Sequence, residues 1–141
     1  MYDVLGRPIV ILSYEDRILP ILAGNAEAFA IANGLEKVEM PRPMTHDLIV
    51  LILKGFHTSL QSVRIYKLEG GTFYGYLILR QETNGNDDLV IKIDCRPSDA
   101  IALAVRMNCP IFCEKQVLEV AGQDNNLQPA DGDEEEEDFL E

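Results

Sequence analysis

Apolar residues run through positions 8–14 and 18–23, and the polar Glu15, Asp16 and Arg17 between them mark a turn, so the chain is expected to begin with a β-hairpin. Gly24 and Asn25 break this pattern. Residues 26–37 then follow with high helix propensity and Glu27 in the first turn, where a carboxylate suits the helix dipole. Pro41 and Pro43 force the next segment to be extended. Thr45 is a suitable N-cap for a helix that carries Asp47 near its start and stops at Gly55. Beyond it, β-rich segments 62–68 and 72–80 flank Glu69, Gly70 and Gly71, and Val63 and Ile65 alternate with Arg64 and Tyr66, which predicts a second hairpin. A polar loop over 81–88, a strand over 89–94, a helix over 97–107, a short strand over 110–112 and a last helical turn over 116–120 complete an α+β pattern.

Composition narrows this picture. With 141 residues, 47% of them hydrophobic, the chain suits a single domain with a substantial core. Its longest apolar run, residues 48–53, is far short of the roughly 18–20 residues that span a bilayer, so no membrane role is expected. Residues 1–7 contain an acid and a glycine and do not read as an export signal. Three cysteines, Cys95, Cys109 and Cys113, make an odd count that fits a reducing cytoplasm better than a disulfide framework, and their spacing is loose for zinc. The formal charge is −12, but eight of the 24 acids lie within residues 131–141 and none of the 12 bases does, so residues 1–130 carry only −4. The domain is therefore expected to occupy residues 1–122, with 123–141 a disordered acidic tail that aids solubility. A mildly acidic body offers no long-range attraction for nucleic acid.

Candidate chemistry is concentrated at two helix starts. In Asp94, Cys95, Arg96, Pro97, Ser98 and Asp99, a strand passes into a helix, and proline at the first helical position gives up an N–H that would be unpaired anyway. The turn is expected to bring Asp94 and Asp99 together, where their oxygens could hold Mg2+ or Mn2+ while Arg96 and Ser98 bind a phosphate. The structural alternative is simple dipole complementation by a first-turn acid. Arg42, Pro43, Met44, Thr45, His46 and Asp47 have the same form, an Arg and Pro leading into a capped helix with an early acid. Here His46 is the candidate for proton transfer, a role imidazole fills near neutral pH, and Arg42 a candidate phosphate ligand. His57 and Glu27 suit the dipole ends of their helices. No nucleophile elbow and no phosphate-cradling glycine loop is present, so no organic cofactor is expected. Sliding the chain by 72 residues places Glu27, Ala28, Phe29, Ala30 over Asp99, Ala100, Ile101, Ala102, consistent with an internal strand-to-helix duplication or with chance similarity between two alanine-rich helices.

These residues, in order, resemble the bifunctional nuclease domain family of bacteria and plants. The resemblance covers about residues 6–120 and rests on Leu19, Pro20, Ile21, Gly24, Glu27 and Ala28, on Arg42, Pro43, Thr45, His46, Asp47 and Leu48, and on Thr72, Phe73 and Tyr74. Most specific is Asp94, Arg96, Pro97, Ser98, Asp99 and the alternating alanines to Ala104, followed by Arg106, Pro110 and Ile111. It implies mixed, curved β-sheets with two to four helices, self-association as a dimer or higher homo-oligomer, and degradation of RNA and DNA. Residue type, rather than the resemblance, makes His46, Asp47, Asp94 and Asp99 the catalytic candidates, Asp94 and Asp99 the metal ligands, and Arg42, Arg96 and Ser98 the substrate contacts. The competing expectation is a non-catalytic oligomeric module whose Asp and Arg residues are structural ion pairs.

Overall fold

In the computed structural model, which describes residues 1–125, the polar break at Glu15 and Asp16 separates β1 (Ile9–Tyr14) from β2 (Arg17–Leu22), which pair antiparallel with Tyr14 opposite Arg17. Helix α1 (Asn25–Leu35) follows, and after the extended proline segment comes α2 (Thr45–Gly55). The second hairpin joins β3 (Thr58–Glu69) to β4 (Thr72–Gln81) through Gly70 and Gly71, both at positive φ, 58° and 77°, a backbone state that two-residue hairpin turns require and glycine adopts at little cost. β3 begins at Thr58 rather than near 62, because Ser59 and Gln61 face water while Thr58 and Leu60 are buried, an alternation that a search for apolar runs passes over.

β5 (Leu89–Cys95) leads into α3 (Pro97–Met107), β6 (Ile111–Cys113), α4 (Lys115–Ala121) and β7 (Gln123–Asp124). The strands form two sheets, ordered β1-β2-β7 and β5-β4-β3-β6; β6 runs parallel to β3 and every other pairing is antiparallel, so the α+β architecture is mixed. β7 pairs Gln123 with Ile18 and Asp124 with Arg17. The segment expected to be disordered from 123 therefore begins with two residues hydrogen-bonded into a sheet; the rest of the predicted acidic tail, 126–141, lies outside the described residues.

α3 is the hub. One side of it contributes Ile101 and Ala102 to a core with Leu19, Ile21, Ile31 and Ile65, and the other contributes Ala100, Leu103 and Ala104 to a core with Val50, Val63, Leu77 and Leu79. Val63 and Ile65 on β3 are 0% exposed, and burial of each contributes about 1.5–3 kcal/mol. Alanines at 100, 102 and 104 are all buried, which lets α3 lie close to both its sheet and its neighbouring helices. Against α1 the approach is close at Gly34, where a methyl group would stand 2.5 Å from Val105 Cγ2 and 2.8 Å from an Arg106 guanidinium nitrogen. The starts are joined by side chains, Arg96 reaching Glu27 of α1 and Asp99 of α3 reaching His46 of α2.

Candidate active site

Glu27, Asp47 and Asp99 each occupy the third position of their helix, and all three line one cleft of about 200 Å3. Three helix N-termini, each with unpaired N–H groups and a partial positive charge, thus meet at one place. The cleft floor and walls are apolar, from Phe29, Ala30, Val38, Met40 and Met44, with His46 and Arg106 the remaining titratable lining groups. It is smaller than the 300–1,000 Å3 typical of small-molecule pockets and suits a single charged group of a larger ligand.

A chain of charged contacts runs along this cleft. His46 Nε2 lies 2.9 Å from Asp99 Oδ1; Arg96 Nε donates to Asp99 Oδ2 at 2.8 Å and its other end donates to Glu27 Oε1 at 2.7 Å. Burial alone would raise the Asp99 pKa, but the hydrogen bonds from His46 and Arg96 and the guanidinium charge hold it below the ordinary carboxylate value. Asp99 is therefore an anion at neutral pH, and a carboxylate only accepts, so in neutral His46 the Nε2 carries the proton and Nδ1 the free lone pair. His46 is buried at 7% exposure and its Nδ1 has no protein partner among the described residues.

The second pair is Asp47 with Arg106. Arg106 Nε donates to Asp47 Oδ1 at 2.8 Å, and its Nη1 donates to the carbonyls of Ala30 and Ala102, so one guanidinium joins α1, α2 and α3. The other Asp47 oxygen accepts the backbone N–H of Met44, the N-cap, at 3.0 Å. The Arg106 bond is the chief reason the Asp47 pKa is lowered, the Met44 amide adding to it. Met44, not Thr45, occupies the cap position, and the cap is made backwards, by the third-residue carboxylate.

Not every sequence candidate reaches the cleft. Asp94 alternates to the outer face of the sheet, in register with Tyr76, and its nearest polar partner is Tyr66 Oη at 3.5 Å. The expectation that the turn brings Asp94 to Asp99 is not met, because strand alternation and the helix start send the two carboxylates to different environments. Ser98 is buried at the second helical position and is absent from the cleft lining. Arg42 is exposed in the segment before α2 and makes no ion pair among the described residues. Conversely, Glu27 and Arg106 are more central than their spacing suggests. The 72-residue echo had a usable signal for Glu27, since it overlays Glu27 on Asp99 and the two carboxylates bracket one arginine. Arg106 in a last helical turn reads simply as a dipole partner, and its pairing with Asp47, 59 residues away, leaves no local trace. Cys95 is half-buried, and desolvation pushes its thiol up to about 11, which leaves it unreactive at neutral pH.

Among the described residues no helix is long and apolar enough to cross a membrane. Comparison with known proteins adds the family. A Mycobacterium tuberculosis protein described as uncharacterized is 44% identical over 132 residues, 92% of this chain and 74% of that protein. Bifunctional nuclease 1 of Oryza sativa is 26% identical over 118 residues, and bifunctional nuclease 1 of Arabidopsis thaliana 26% over 116. These alignments cover 82% and 80% of this chain but 35% of each plant protein, so the chain spans about a third of the length of those relatives. Residues 9–126 match the bifunctional nuclease domain, and the chain belongs to that family.

Proposed function

We propose that this chain hydrolyses phosphodiester bonds of RNA and DNA at the cleft where α1, α2 and α3 begin. The observation that carries the reading is the His46–Asp99 pair, held at 2.9 Å beside converging helix N-termini. Those termini favour an anionic group, and Arg96, whose side chain is 67% exposed at the rim, supplies a guanidinium that can turn from Glu27 to a phosphate oxygen. His46 Nδ1 takes the proton of the attacking oxygen, from water or a ribose 2′-hydroxyl, as that oxygen bonds to phosphorus. The bond from phosphorus to the leaving oxygen breaks, and the imidazolium returns the proton to it. Asp99 orients the ring and stabilises its charged form; Asp47 fixes the first turn of α2 that carries His46.

For Mg2+ or Mn2+ the described residues provide no ready cage: no three His, Cys, Asp or Glu side chains are grouped to hold a metal ion. Asp94 lies apart, and Asp47 and Asp99 are both engaged by guanidinium groups. No step is assigned to a metal, and its contribution is read directly from rates in EDTA and with each cation added. Purified chain is expected to cleave single-stranded RNA and DNA, with His46→Ala and Asp99→Asn each lowering the rate 100- to 10,000-fold while circular dichroism stays unchanged. Cleavage that survives both substitutions sinks the assignment.

A second reading has its own support, because the carboxylates at the cleft already saturate Arg106 and hold Arg96 at both ends. On that reading the network is a clasp for three helices in an oligomeric binding module, and Asp99→Asn lowers Tm with no activity to lose. Self-association belongs to either reading. Leu48, Leu51 and Ile52 form an exposed apolar stripe on α2, continued by Phe56, and a second copy is the proposed cover. Light scattering of Leu51→Lys against the unsubstituted chain tests it.

A further inference from the structure

The outer face of the four-stranded sheet is unlike the rest of this acidic molecule. Strand register places Phe112, Arg64, Tyr76 and Asp94 in one row across β6, β3, β4 and β5, spanning about 14 Å at the usual strand spacing. Tyr66 stands beside Tyr76 with ring centroids 5.2 Å apart, and Tyr74 beside Tyr66 at 6.3 Å. A bulge between Ile65 and Lys67 delivers Tyr66 and Lys67 to this neighbourhood together. The helices α2 and α3 pack on the opposite face, which leaves these rings half-buried by one another and open to solvent.

Positive charge is interleaved with the rings. Arg64 lies 4.7 Å over Phe112, Lys67 5.0 Å from the Tyr74 ring, and Lys92 4.1 Å over Tyr76. Lys67 shares its charge with Glu69, whereas Arg64 and Lys92 have no carboxylate partner among the described residues and lie over π-faces. What sets Arg64 and Lys92 apart from the other bases is their place, each over an aromatic ring on one open face, an arrangement that suits an anion carrying planar groups.

We propose that this face is a platform for single-stranded nucleic acid, with bases stacked on Tyr66, Tyr76 and Phe112 and the backbone running past Arg64 and Lys92. Every base has a π-face, so such a platform tolerates sequence, whereas a duplex keeps its bases stacked on each other and cannot use it. Asp94 closes the row on β5, and Arg96, two residues on along the chain, is the arginine that clamps Asp99. A strand leaving the platform over this edge arrives at the cleft. The inference rests on the nuclease reading for the fate of the strand, but not for its binding.

The experiment is fluorescence anisotropy with a labelled 12-mer of deoxythymidine and a duplex of equal length, in EDTA, on the full chain carrying His46→Ala so that binding is read without cleavage. The single strand is expected to bind at least tenfold more tightly than the duplex. Tyr76→Ala and Phe112→Ala should each weaken it about 5- to 100-fold, Tyr76→Phe should restore it, and Asp94→Asn should tighten it by removing a like charge beside the backbone. Lys92→Ala, exposed and remote from the core, should also weaken binding and reduce its salt dependence, and it covers the case in which a tyrosine variant misfolds. Equal affinity for both nucleic acids, or single-strand binding indifferent to Tyr76, Phe112 and Lys92, overturns the platform. Ring-dependent binding in a chain that never cleaves would leave the platform standing and remove the catalytic reading; His46-dependent cleavage with ring-independent binding would do the reverse.

Discussion

The starts of α2 and α3 use the same parts for different ends. Each has an aspartate at its third position and a buried residue at its second, His46 in α2 and Ser98 in α3, and each aspartate is bound by an arginine. Arg106, at 11% side-chain exposure, also holds two backbone carbonyls and has little freedom left. Arg96, at 67%, bonds among the described residues to two carboxylates, and on the proposed reading it trades one for a phosphate. Exposure of the arginine, not the identity of the pair, separates a clasp from a working group. An ion pair sealed by carbonyls contributes rigidity, and one open to water contributes an exchangeable charge.

The largest expected effect on this contrast is on rate. Asp99→Asn should abolish most cleavage with a small change in stability, while Asp47→Asn should do the opposite; activity lost equally in both would erase the distinction. Next comes Arg106→Met, which keeps the aliphatic stem but leaves the carbonyl of Ala30 and one Asp47 oxygen without a donor. It should cost about 2–3 kcal/mol in urea unfolding, against less than about 1 kcal/mol for Arg96→Met at its exposed position. Equal losses would show that Arg96 is as structural as Arg106.

A smaller effect concerns pH. Asp47 and Asp99 both have folded-state pKa values below the unfolded 3.8, so their stabilisation is complete above that value and is lost as pH falls through the lower folded values. Thermal melts from pH 6 to 3 should therefore decline at the acid end, and Asp47→Asn should flatten the decline, since an amide has no proton to gain. A slope unchanged in that variant would assign acid sensitivity to other carboxylates.

Much of this fold was readable from the sequence, because its signals are local. The Gly70–Gly71 turn, the proline at the start of α3 and the buried alternation of Val63 and Ile65 each mark their own element. The site was readable only in part. Helix starts advertise their third-position acids, and imidazole advertises proton transfer, so His46, Asp47 and Asp99 stand out as candidates in the sequence, and the structure gathers the three in one cleft. What a linear reading could not supply is which side of a strand faces a cleft, which removed Asp94, or which distant helix end supplies an arginine, which hid Arg106. Both are consequences of packing between elements far apart in the chain.

Arg42 shows how finely position decides. Its sequence setting mimics that of Arg96, each followed by proline, yet Arg96 is the N-cap of α3 whereas Arg42 lies two residues before the cap of α2. That offset puts Asp47 beyond its role, and Arg106 takes the position instead. With no carboxylate partner among the described residues, Arg42 is proposed as a second, weaker contact to the nucleic-acid backbone. Arg42→Ala should raise KM about two- to fivefold, leave kcat and the urea midpoint unchanged, and lessen the dependence of KM on salt, as loss of one phosphate contact requires. A fall in kcat instead would assign Arg42 to the chemical step, and no change in either constant would remove Arg42 from the proposed site.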